Sequence, residues 1–111
     1  MTKLGKEGRT PREQTTERYH KDLEKSAQKF LKALEVYHIS SDDKERSHLK
    51  GVMEEHLGLI HAAVDELTRA GMHKEEVKVE HDYRAYLSQS SAETFAALRH
   101  DLITLLDYNR L

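Results

Sequence analysis

The only proline in this chain is Pro11, and none occurs in the hundred residues that follow. Proline stops a helix because it lacks an amide hydrogen and collides with the preceding turn. Beyond Pro11 nothing of that kind intervenes, and apolar side chains return every third or fourth position, the period of a helix and not of a strand. Tyr19, Leu23, Ala27, Phe30, Leu34 and Tyr37 share one face of a first helix, at about 100° per residue. Leu49, Met53, His56, Ile60, Ala63, Leu67 and Ala70 do the same on a second, with Val52, Leu59 and Val64 widening the stripe.

Local chemistry sets the boundaries. Thr10-Pro11-Arg12-Glu13 combines a capping threonine, a proline at the first helical position and a glutamate placed to close a capping box, so helix one is predicted to run from there to about His38. Ser40-Ser41-Asp42-Asp43 offers N-caps and acidic residues for the positive end of helix two. Gly71, free to turn left-handed, is the predicted stop of that helix. Beyond it, Val79, Tyr83 and Tyr86 form one stripe and Phe95, Leu98, Leu102, Leu105 and Leu106 another, and the two do not align on one straight helix. Ser90-Ser91-Ala92-Glu93 reads as a second capping box, which divides the region into helix three, about 74–88, and helix four, about 91–109.

The predicted fold is therefore all-α, an antiparallel up-and-down bundle of four helices. The alternative is three long helices with a kinked third, which would leave Val79 and the two tyrosines facing outward. Residues 1–9, with two glycines and no periodicity, are expected to form a flexible tail, and residues 10–111 a single domain.

Composition narrows the function classes. Charged residues make up 34% of the chain yet balance to a net −2, which argues against a nucleic-acid partner. No stretch approaches the ~20 apolar residues of a membrane span, and the basic N-terminus has no apolar run behind it, so a cytoplasmic protein without a membrane partner is expected. The absence of cysteine excludes thiolate metal sites and cysteine catalysis. Glycine-rich phosphate loops are absent and the serines cluster mainly near helix caps, so nothing recommends an enzyme.

Ser47-His48-Leu49-Lys50-Gly51 resembles the signature of histidine phosphotransfer domains, four-helix bundles of about this size, and Leu57-Gly58-Leu59 adds to the likeness. The resemblance implies a phosphoacceptor role for His48 and docking of a response regulator. In the family the lysine and glycine follow the histidine by three and four residues; here they follow His48 by two and three. In a regular helix this turns Lys50 about 200° away from His48.

Gly51 and Gly58 lie inside helix two, where each costs about 1 kcal/mol relative to alanine. With Ser47 and Ala62 they form a smooth strip away from the core stripe, a surface that a close-approaching partner helix would explain. The strip is the expected binding site for another protein, a second copy of this chain in a homodimer included. His56, within the core stripe, is expected to be a buried neutral imidazole with one hydrogen bond. Glu-x-x-His pairs occur at Glu17/His20, Glu35/His38 and Glu45/His48, but the first two share one helix and lie off its apolar face, so no metal and no cofactor are expected.

Overall fold

A computed structural model describes the backbone of residues 11–111 and the side chains from residue 15 onward. Four helices follow one another: α1 (Pro11–Ile39), α2 (Asp43–Leu67), α3 (Ala70–Ser88) and α4 (Ala92–Arg110). Each helix packs on its two neighbours in a closed ring, α1 on α2 and α4, α3 on α2 and α4. The bundle is all-α and antiparallel, with four helices rather than three. The expected tail and the Thr10 capping box lie outside the described residues, although α1 does begin at Pro11.

The predicted stripes form the core. Leu23, Ala27, Phe30 and Leu34 of α1, Met53, Ile60 and Val64 of α2, and Leu98, Leu102 and Leu105 of α4 are all essentially inaccessible. Val79, Tyr83 and Tyr86 join them, so the α3 stripe faces inward. Phe30 meets the edge of the Tyr83 ring at 5.5 Å between centroids, the T-shaped arrangement that aromatic quadrupoles favour. At the far end His38 stacks on Phe95 at 4.1 Å and shares a 2.8 Å hydrogen bond with the Tyr86 hydroxyl. These contacts tie the end of α1 to the end of α3 and the start of α4.

One helix end follows expectation and others depart from it. Asp42 caps α2, accepting from the Glu45 amide, and Arg46 folds back to donate to the carbonyls of Tyr37 and Ser40 that end α1. Helix α2 stops at Leu67, four residues before Gly71: Thr68 adopts the left-handed conformation at φ 53° and its amide bonds to the Val64 carbonyl. Gly71 instead lies in the first turn of α3, where a β-carbon would stand 3.1 Å from a ring carbon of Tyr108. The glycine serves close helix approach and not helix termination, and α3 starts earlier than 74. Before α4 the capping box is formed by Ser91 with Thr94, one residue later than Ser90 with Glu93. Three members of the predicted α2 core stripe and its flank are also displaced: Ala70 is exposed at the start of α3, Leu59 is 49% exposed and His56 is only half-buried.

Tyr86→Ala tests whether the α3 stripe is core. Truncating a fully buried aromatic should cost about 3–5 kcal/mol in chemical denaturation, whereas an outward-facing position would change stability by no more than about 0.5 kcal/mol.

Candidate functional site

On α2, Ser47, Gly51, Gly58 and Ala62 are all exposed on the face turned away from the core. A β-carbon added at Gly51 or Gly58 would meet nothing within 4 Å, so no packing among the described residues requires either glycine. Along one side of the strip runs a groove of about 690 Å³ between α1 and α2, lined by Tyr19, Ser26, His56, Leu59, Ala62 and Ala63 among others. His56 borders it with Nδ1 buried and without a hydrogen-bond partner among the described residues. The hydrogen bond expected of a buried His56 is not seen at that nitrogen.

His48 is exposed on a continuous stretch of α2, and Lys50 reaches Glu54, at 4.0 Å, rather than the imidazole. The Glu-x-x-His pairs do not converge. His20 bonds to Asn109 at 2.6 Å, His38 to Tyr86, Glu35 to Arg99 at 3.4 Å, and Glu45 to the Ser40 hydroxyl at 2.6 Å. His20 and His38 are partly buried between helices, and each finds a polar partner on another helix, His20 on α4 and His38 diagonally on α3.

The structure assembles a different cluster, on the opposite flank of the strip. His61 of α2 directs Nδ1 at two α3 carboxylates, 3.1 Å from Glu76 Oε1 and 3.0 Å from Glu80 Oε2. Its other nitrogen, Nε2, lies 3.3 Å from Asp65, one turn along α2. Glu76 is completely buried, and no donor among the described residues reaches its Oε2. Burial, then the adjoining Glu80 carboxylate, push the Glu76 carboxyl up to about 7 against the pull of His61. Glu80 is held below the ordinary carboxylate range, chiefly by a hydrogen bond with Glu76, while His61 is raised, chiefly by its bond to Glu76. Between α3 and α4 a second acidic pair shares this character: burial and the neighbouring Asp82 push Asp101 up to about 7, and Asp82 is lowered by its bond to Asp101. Glu75 and Lys78 face Asp101 as well, with opposite effects.

The spacing that could have revealed the first cluster is present in the sequence. His61/Asp65 and Glu76/Glu80 are both four apart, which puts each pair on one helix face, and His61 and Glu76 each stand seven residues from the Thr68-Arg69 turn. An antiparallel hairpin brings positions equidistant from its turn to the same height. No protein-family model, curated protein or solved structure matches this chain.

The buried acids fix the sign of the pH dependence. Glu76 and Asp101 have folded values near 7 against about 4 in an unfolded chain, so the unfolded state releases its protons first as pH rises. Their contribution is complete below about pH 4 and lost by about pH 7, and the raised His61 acts in the same sense on passing its own folded value. Glu80 and Asp82, being lowered, lose their contribution only in stronger acid. Urea unfolding should therefore show stability falling between about pH 5 and 7, with a shallower fall in Glu76→Gln/Asp101→Asn. Stability that rises across that window, or an unchanged slope in the double variant, would contradict this assignment.

Proposed function

We propose that this chain is a small non-catalytic protein-interaction module of the cytoplasm, an adaptor, chaperone or regulatory subunit. It docks a partner helix on the outer face of α2 through Ser47, Gly51, Gly58 and Ala62. The supporting observation is that two glycines, each costing about 1 kcal/mol in a helix interior, pack against nothing among the described residues. A partner backbone approaching closely gives them a use, and the half-exposed Leu59 with the adjoining α1/α2 groove offers apolar surface beside that approach. This reading has neither nucleic acid nor membrane as its partner; the balanced charge supports the first exclusion, and among the described residues no helix is long and apolar enough to cross a membrane. The exposed imidazole of His48 favours a second reading, a phosphotransfer-like domain that docks a response regulator, but Lys50 turns toward Glu54 and away from it.

Replacing both glycines with alanine separates stability from association. In the isolated chain Gly51→Ala/Gly58→Ala should gain up to about 2 kcal/mol, since both positions are exposed and helical. Added methyl groups on the strip should at the same time weaken self-association in sedimentation, or capture of a partner in a pull-down from the native host. Raised stability with undiminished association would leave the interaction reading without its site.

A further inference from the structure

The geometry points to a divalent transition-metal site between α2 and α3, with His61 Nδ1 and carboxylate oxygens of Glu76 and Glu80 as its ligands and Asp65 as the support of the imidazole. Among the described residues these three side chains form the one group whose donor atoms lie close enough to share an ion, all within 4.8 Å of one another. The separations from Nδ1, 3.1 and 3.0 Å, fall a few tenths of an ångström inside the roughly 3.4 Å between tetrahedral ligands about 2.1 Å from one ion, so small side-chain shifts would bring the donors around a common centre. Mixed imidazole and carboxylate donors favour zinc, iron or manganese over calcium or magnesium, which prefer oxygen alone.

Three further observations support a ligand here over a mere acidic patch. Glu76 is fully buried and its Oε2 meets no hydrogen-bond partner among the described residues, so either a proton shared with Glu80 or a bound cation is needed to offset its burial. Asp65 stands 3.3 Å from Nε2, where its carboxylate can accept the Nε2 proton and so fix the tautomer that leaves Nδ1 free to coordinate. A path from solvent is also present: the His61 side chain is 48% exposed, and a groove of about 260 Å³ lined by Glu54, Leu57, Gly58, His61 and Glu80 opens beside it. Three protein ligands leave positions for water or for a donor from another molecule. None of the Glu-x-x-His pairs Glu17/His20, Glu35/His38 and Glu45/His48 contributes to this cluster, and the site does not depend on partner docking at the glycine strip.

The test is zinc binding by the untagged full chain, by calorimetry and by metal analysis after dialysis. One zinc per chain should bind and raise the melting temperature. Glu76→Gln and, at the more exposed position, Glu80→Gln should each abolish that binding, with circular dichroism reporting whether each variant folds. Asp65→Asn should weaken it about 10- to 100-fold without abolishing it. His48→Ala, which removes an exposed histidine elsewhere, should leave it unchanged. Failure of the wild type to bind, the result expected if a protonated His61 merely bridges the two carboxylates, would overturn the site. So would binding that survives in folded Glu80→Gln, or that is lost in His48→Ala.

Discussion

Val79, Tyr83 and Tyr86 have to be covered, and much of the molecule follows from that requirement. The three side chains recur at helical spacing and present too much apolar surface to leave in water. A continuous third helix would have turned them away from the stripe that begins at Phe95. Ending α3 at Ser88, with Ser91 and Thr94 capping a new helix, lets each segment rotate independently until both stripes face inward. Four helices thus close around Phe30, Tyr83 and Tyr86 where three would have left the tyrosines exposed.

The same rotation decides where the acids go. Glu75 and Glu76 stand one turn before Val79, so the orientation that buries Val79 carries both carboxylates into the interfaces that α3 makes with its neighbours. Glu76 then faces His61 of α2, while Asp82, on the other side of α3, faces Asp101 of α4. Burying these groups costs free energy, and proton sharing or a bound cation offsets it. The acid clusters are in this sense consequences of core packing.

The fold was largely legible because periodicity and capping chemistry are local. Helix count, approximate bounds and nearly every core residue of α1 and α4 follow from spacing alone. Failures came where tertiary contacts override local preference. Gly71 carried the usual mark of a helix end, yet Thr68 takes the left-handed turn and the glycine makes room for Tyr108. His56 and Leu59 fell within a stripe wide enough to look wholly buried, but the α1/α2 groove leaves that edge open. Ser47, Gly51, Gly58 and Ala62 were legible as one face, since a single helix carries them. The His61, Glu76 and Glu80 cluster spans two helices, and its assembly depends on the rotation of α3 that the tyrosines impose.

The separation of α3 from α4 turns the α3 tyrosines onto α1. Side-chain NOEs in solution test it directly. Cross-peaks are expected between the rings of Phe30 and Tyr83, whose centroids are 5.5 Å apart, and between those of His38 and Phe95, at 4.1 Å. Absence of both, together with an unbroken run of helical amide–amide contacts through Gln89, Ser90 and Ser91, would show one long third helix and contradict the account.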